Sequence, residues 1–159
     1  MGTDIHIHME YRSRKTRRYQ YGGKLRGERL YTIFGVMSDG LFSGEESLFP
    51  ARGLPDGVTQ TTYKDYKDWG CDGHHASWLN TVEFAACIVE AYHRMNSFEA
   101  KQYYKKYKDL YQLLEVFMDK HTPRYHEEDR LWSYKKILDI MLDYEKYDGE
   151  CRIVYWFDN

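Results

Sequence analysis

The sequence predicts an α+β fold, namely a small antiparallel sheet that includes both terminal strands, with three to four α-helices packed mainly on one face. Two observations at the ends of the chain carry this prediction. The segment Thr3–Tyr11 alternates strictly between two sets of residues, and the tail Cys151–Phe157 is rich in β-branched and aromatic residues. Between them, apolar residues recur at helical spacing, which is typical of helices layered on a sheet. The length of 159 residues indicates a single domain over 1–159.

The first strand has the clearest pattern. Its period of two separates two faces, one with Thr3, Ile5, Ile7, Met9 and Tyr11 and the other with Asp4, His6, His8 and Glu10. Such alternation is typical of a half-buried strand. The basic segment Arg12–Arg18 is interpreted as a turn, and Tyr19–Tyr21 as a short hairpin strand that follows it.

Helical spacing and capping residues predict the remaining elements. They are helices at Glu28–Met37 and Thr59–Trp69, a helix that Asn80 or Thr81 caps and that ends near Met95, and helices at Ser97–Lys120 and Glu127–Tyr147. Two segments are predicted to be loops because they are rich in Gly, Pro or polar residues: Asp39–Asp56, and Cys71–Leu79, which leads into the third helix.

Composition and charge exclude several classes of protein. With a net charge of −2, bulk electrostatics do not favour binding to duplex nucleic acid, although a local basic patch stays open. No apolar run approaches the roughly 18 residues of a membrane span, and the first residues lack the pattern of a signal peptide. The residues Cys71, Cys87 and Cys151 form no CxxC pair, so we expect a reduced, cytoplasmic chain. A homo-oligomer stays open.

The polar face of the first strand is the leading candidate for chemistry. Asp4, His6, His8 and Glu10 place two carboxylates and two imidazoles in one row, at intervals of about 7 Å. Such a row can ligate a metal or supply an acid and a base. The alternative is the solvated outer face of an edge strand.

A second candidate is the segment Asp72–Trp78, at the entry to a predicted helix. His74, His75 and Ser77 are donors that suit a phosphate or carboxylate near exposed backbone N–H groups, and Trp78 can stack on a base. The alternative is a capping loop with Trp78 in the core. A third candidate is Arg52 on a rigid turn, which suits bidentate anion recognition; its alternative is a salt bridge that fixes the loop.

Four short segments resemble a family of small, mostly uncharacterised proteins of bacteriophages and prophages. The segments are Met1–His6, Arg52–Asp56, Asp72–Leu79 and Arg152–Asn159, and the family patterns are MGxDIH, RGLPxD, DGHSxSWL and RIVFWFDN. The chain departs from them at His75, where the family has Ser, and at Tyr155, where it has Phe. The resemblance implies a phage protein in the cytoplasm of an infected bacterium. It also implies that the residues that match the family patterns include site residues, namely Asp4, His6, Glu10, Arg52, Asp72, His74, Ser77 and Asp158. His8 falls at a variable position of the pattern.

These observations lead to a hypothesis of a counter-defence protein that binds and cleaves a nucleotide second messenger. The catalytic residues would be His6, His74, Asp4 and Glu10, and the ligand-binding residues would be Arg52, Asp72, His75, Ser77, Trp78 and Asp158. His6 and His74 act either as an acid–base pair or, with Asp4 and Asp72, as ligands of a single divalent metal, Mn²⁺ or Zn²⁺.

Two alternatives to cleavage stay open. One is a sponge that sequesters the nucleotide signal without chemistry. The other is an inhibitor that presents its Tyr- and Lys-rich helices, which include the segment Tyr103–Lys108, to a host enzyme.

Overall fold

A computed structural model describes residues 2–38, 46–95, 126–147 and 149–159, with side chains of the last helix described from Arg130 onward. The strands are β1 (Asp4–Ser13), β2 (Gln20–Leu25), β3 (His74–Asn80) and β4 (Gly149–Asp158). The helices are α1 (Tyr31–Met37), α2 (Gln60–Asp68), α3 (Thr81–Met95) and α4 (His126–Glu145). The four strands form one antiparallel sheet in the order β2-β1-β4-β3. The predicted fold class and the pairing of the terminal strands are therefore confirmed.

The two terminal strands form the centre of the sheet. Their register runs from Asp4 opposite Asp158 to Ser13 opposite Gly149 without a break. Because directly opposite residues share a face, Ile7 lies beside Tyr155 on one side of the sheet, whereas His6 lies beside Trp156 on the other.

The apolar face of the sheet carries the core. Helices α1, α3 and α4 pack there around fully buried side chains that include Ile7, Phe34, Phe84, Ile88 and Met141. Burying each such side chain contributes roughly 1.5–3 kcal/mol relative to leaving it exposed. A capping box begins α3, because the N–H of Glu83 donates to Asn80 Oδ1 at 2.9 Å and the N–H of Asn80 donates to Glu83 Oε2 at 3.1 Å.

The opposite, polar face of the sheet is covered by α2 and by the segment that precedes it. The rings of Tyr66 and Trp69 lie against Trp156 and His6, with centroid separations of 5.3 Å and 4.2 Å. The helices are thus mainly, but not entirely, on one face. Within the described residues, no helix is long and apolar enough to span a membrane.

Several predicted elements differ from the structure. The segment predicted as a loop at Cys71–Leu79 contains strand β3. Its period is hidden because a bulge lies between His74 and Ser77, where His75 has a φ of +52°. Strand β2 continues past Tyr21 because Gly23–Leu25 pair with Met9–Ile7 of β1 beyond a register shift. The unpaired residue is Gly22, where a Cβ would lie 2.7 Å from Met9 Cε. The predicted helix Ser97–Lys120, the segment Tyr103–Lys108 and residues 39–45 of the predicted loop lie outside the described residues.

Candidate functional site

The four polar side chains of β1 do not form one site, because each has its own partners. Asp4 lies at the exposed end of the row, where Arg29 Nε and Nη2 donate to its two carboxylate oxygens at 2.8 Å each. This is a bidentate surface ion pair. It explains the position of Arg29 without invoking a ligand.

The next residue in the row, His6, contacts Asp158. Their side chains are 3.1 Å apart, and the Asp4 N–H donates to the same carboxylate at 3.0 Å. Burial raises the pKa of the Asp158 carboxyl, but the hydrogen bonds from His6 and the Asp4 backbone outweigh it, so the pKa lies below its usual value. Since Trp69 and Trp156 flank the His6 ring, the imidazole is held in place on three sides.

Glu10, at the far end of the row, belongs to a buried ion pair. Arg152 Nε donates to Glu10 Oε2 at 2.8 Å, and the side chains are 5% and 0% exposed. Arg152 also donates to the carbonyls of Asp56 and Gly57 at 3.2 Å and 3.1 Å, and the Thr59 N–H donates to Glu10 at 2.8 Å. The pair fastens the Asp56–Thr59 segment to the sheet. The predicted catalytic role of Glu10 therefore finds no support here, since both carboxylate oxygens are engaged inside the protein.

The predicted site residues of the His74–Trp78 segment are divided between the two faces of the sheet. Trp78 is opposite Val154 and shares the face of His6. His74 is opposite Phe157 in the register, and Ser77 is opposite Tyr155, both on the apolar face. His74 Nδ1 is 2.7 Å from His75 Nδ1, and Asp72 is exposed. The buried Ser77 hydroxyl accepts from the Arg52 N–H at 3.1 Å.

Arg52 is engaged in a structural contact, as its alternative interpretation predicted. Its Nη2 and Nη1 donate to the two oxygens of Glu83 at 2.7 Å and 3.0 Å, and its guanidinium lies 4.8 Å from the Trp78 ring centroid. The hydrogen bond to Glu83 raises the pKa of Arg52. Since Glu83 is also half of the α3 capping box, Arg52 fixes the Arg52–Pro55 turn to the start of that helix.

The register therefore does not bring together His6 and His74, the predicted acid–base pair. The register puts His6 beside Trp156 and His74 beside Phe157, on opposite faces of the sheet. The predicted acid–base pair of His6 and His74 therefore finds no support in this register. Within the described residues, no three His, Cys, Asp or Glu side chains come close enough together to hold a metal ion. The predicted set of Asp4, His6, Asp72 and His74 is thus not assembled.

The structure does assemble an open cleft whose lining includes four arginines. This arginine cleft has a volume of about 560 Å³ and is lined by Arg12, Arg17, Arg18, Tyr19, Pro55–Thr59, Trp78 and Arg152. The guanidinium carbons of Arg12 and Arg152 lie 4.7 Å and 3.6 Å from the centroid of the Tyr19 ring. Burial raises the pKa of Tyr19 against the opposing charges of the two arginines, so its hydroxyl stays protonated at neutral pH.

Two arginines at the mouth of this cleft are available to a ligand. Arg12 already binds Glu150, with Nη2 at 2.6 Å from Oε2. Arg17 and Arg18 are exposed, and no carboxylate of the residues that the structure describes forms an ion pair with either. The sequence contained a signal for this cleft, because Arg12–Arg18 holds five basic residues and no acidic one. The prediction for that segment is a turn alone.

A second cleft opens beside the first, around His8. It is called the relay cleft here because hydrogen-bonded side chains line it. Its volume is about 470 Å³, and it is lined by His8, Tyr21, Lys24, Gln60, Thr61, Lys64, Asp65 and Asp68. His8 falls at a variable position of the family pattern. No sequence motif singles out Tyr21 or Asp65, because the two residues lie on different elements. No family model, curated protein or solved structure matches this chain, so the case for a function rests on the geometry of the two clefts.

Proposed function

We propose that the protein binds a nucleotide in the arginine cleft, with the phosphate on Arg17 and Arg18 and the base against Tyr19 or Trp78. The observation that carries this proposal is the cleft itself. Its lining includes the exposed Arg17 and Arg18 together with the rings of Tyr19 and Trp78. A guanidinium binds phosphate through paired N–H donors, and an aromatic ring stacks on a base of any identity.

The size and charge of the cleft support this ligand class. A volume of about 560 Å³ lies within the range of small-molecule sites. The whole chain carries a net charge of −2, so the five basic residues of Arg12–Arg18 are a local concentration of positive charge. That distribution favours a small anion over an extended duplex, which needs a wide basic surface.

Sequestration is favoured over cleavage in this cleft. The two imidazoles expected to perform the chemistry lie on opposite faces of the sheet, and within the described residues no histidine or cysteine lines the arginine cleft. The proposal is therefore the sponge alternative of the original hypothesis. The phage setting and a counter-defence role stay predictions that rest on the sequence resemblance.

Calorimetric titration with AMP, cyclic AMP, a cyclic dinucleotide and inorganic phosphate tests the proposal. The variant Arg17→Ala/Arg18→Ala should bind the preferred nucleotide at least tenfold more weakly, because each lost charged hydrogen bond costs about 1.5–3 kcal/mol. Arg26→Ala is the matched control, since Arg26 is 89% exposed and lies outside the cleft. Equal affinity of the double variant and the wild type for every nucleotide would contradict the proposal.

A further inference from the structure

The relay cleft contains a hydrogen-bonded chain of three side chains from three elements. The Tyr21 hydroxyl, on β2, is 3.1 Å from His8 Nδ1, on β1, and His8 Nε2 is 2.8 Å from Asp65 Oδ2, on α2. Lys24 Nζ donates to the same Asp65 oxygen at 3.1 Å. The chain therefore runs from a phenol through an imidazole to a carboxylate.

The charges in this chain fix the direction of each hydrogen bond. Burial raises the pKa of Asp65, but the hydrogen bonds and charges of Lys24 and His8 outweigh it and leave the carboxyl ionised at neutral pH. An ionised carboxylate only accepts, so His8 Nε2 must carry a proton and donate it. Burial lowers the pKa of His8, so the imidazole is neutral and its Nδ1 has a free lone pair. The Tyr21 hydroxyl consequently donates to His8 Nδ1.

This arrangement has the parts of an activated nucleophile. A hydroxyl donates to a base, and a third group orients that base, which is the general form of nucleophilic triads. His8 is 1% exposed, so it is shielded from bulk water. Asp65 and Lys24 have side chains that are 34% and 51% exposed and line the open cleft. A chain that served only to join β1, β2 and α2 would not need an opening of about 470 Å³ next to the phenol.

The lysines of the cleft indicate the class of electrophile. Lys24 and Lys64 line it together with Asp65 and Asp68. Lys24 is paired with Asp65, whereas Lys64 is exposed. Ammonium groups near a nucleophile stabilise an anionic reacting group, and the non-bridging oxygens of a phosphodiester carry such a charge. We propose that the relay cleft is a second site, in which Tyr21 attacks a phosphodiester, His8 acts as the base and Asp65 positions His8.

The proposed reaction has two balanced steps. In the first, Tyr21 Oη forms a bond to phosphorus while its proton moves to His8 Nδ1, and the bond from phosphorus to the leaving alcohol breaks as that alkoxide takes the proton from His8. In the second, water attacks phosphorus and gives a proton to His8 Nδ1. The bond from phosphorus to Tyr21 then breaks, and the phenolate recovers the proton. The products are an alcohol and a phosphomonoester, with no metal or redox partner in either step.

This inference is independent of nucleotide binding in the arginine cleft, because the two sites share no lining residue. The probe is bis-p-nitrophenyl phosphate, and the readouts are p-nitrophenolate release and the mass of trapped protein. The wild type should release p-nitrophenolate above the buffer rate and form a covalent adduct at Tyr21. Tyr21→Phe, which removes one oxygen, should abolish the adduct and lower the rate about 10²-fold or more.

Further variants separate catalysis from folding. Tyr63→Phe is the matched control, since Tyr63 is an exposed tyrosine on α2 outside the cleft, and it should keep the full rate. Asp65→Asn should lower kcat with little change in KM, because the amide no longer orients His8 but the cleft remains. Absence of wild-type turnover and adduct overturns the proposal, and so does undiminished turnover in Tyr21→Phe.

Discussion

The two ends of the polar face of β1 have the same kind of residue in opposite environments. Asp4 at one end has a side chain that is 53% exposed, and its ion pair with Arg29 lies at the surface. Glu10 at the other end is fully buried and shares its ion pair with Arg152 and with the Asp56–Thr59 segment. The alternation of the strand is identical at both ends, so the difference comes from what packs over each residue.

This difference shows that neighbouring residues of one polar row can have different roles. Some form buried ion pairs, and others line a cleft. Where the covering segment is complete, as at Glu10, the charges hold the fold together. Where it is incomplete, as around His8, the same row opens into a cleft and leaves a hydroxyl beside a base. His6 lies between Asp4 and His8 in the row, and Asp158 and two tryptophan rings hold its imidazole.

The largest expected effect is at the buried end of the row. Glu10→Ala should lower the free energy of unfolding by about 3–5 kcal/mol, because it leaves the Arg152 guanidinium buried without its partner. Urea unfolding monitored by tryptophan fluorescence measures the change. Glu10→Gln is the control, since it keeps an acceptor for the Thr59 N–H and should lose less. A loss below about 1 kcal/mol in Glu10→Ala would mean that the ion pair does not fasten the segment.

His8, in the middle of the row, should affect how the free energy of unfolding depends on pH. Burial lowers the pKa of His8 below its usual 6.5, aided by the charges of Lys24 and His6 and opposed by Asp65. Burial also lowers the pKa of His93, against the charge of Glu90. The unfolded chain therefore binds protons at these sites more readily than the folded chain, so stability should fall as pH drops below 6.5.

Urea unfolding at several values between about pH 7.5 and 5.5 measures this slope. In His8→Asn the slope should be shallower, because one of the two buried imidazoles is gone. The range stays well above the pKa of Asp65 and Asp158, both of which are lowered, so these carboxylates do not contribute. An unchanged slope in the variant would show that His8 titrates alike in the folded and unfolded chains.

The smallest effect is expected at the exposed end of the row. Asp4→Asn removes the charge that Arg29 binds, and exposed pairs contribute only about 0.2–1 kcal/mol. The free energy of unfolding should therefore change by less than about 1 kcal/mol, and the change should shrink further in 1 M salt, where surface charges are screened. If Asp4→Asn lowered the free energy of unfolding as much as Glu10→Ala does, the predicted difference between the exposed and the buried ion pair would be wrong.

The sequence by itself determined the two faces of the first strand. Alternation in Thr3–Tyr11 correctly separated Ile7 from His6, because a strand directs successive side chains to opposite faces whatever it pairs with. The cap of α3 was also predictable, since Asn80 and Glu83 are three residues apart and form a local capping box. These features depend on residues that are neighbours in the chain.

Only the tertiary structure decided which charged residues meet. The Glu10–Arg152 pair joins residues 142 positions apart, and His8 and Asp65 are 57 positions apart. Local sequence patterns do not predict contacts between residues that are so far apart in the chain. Strand β3 was missed for a related reason, because its residues are strand only by virtue of pairing with β4, and its bulge hides the period of two. His74 consequently came to the face opposite His6, since one extra residue in a strand reverses the faces of the residues beyond it.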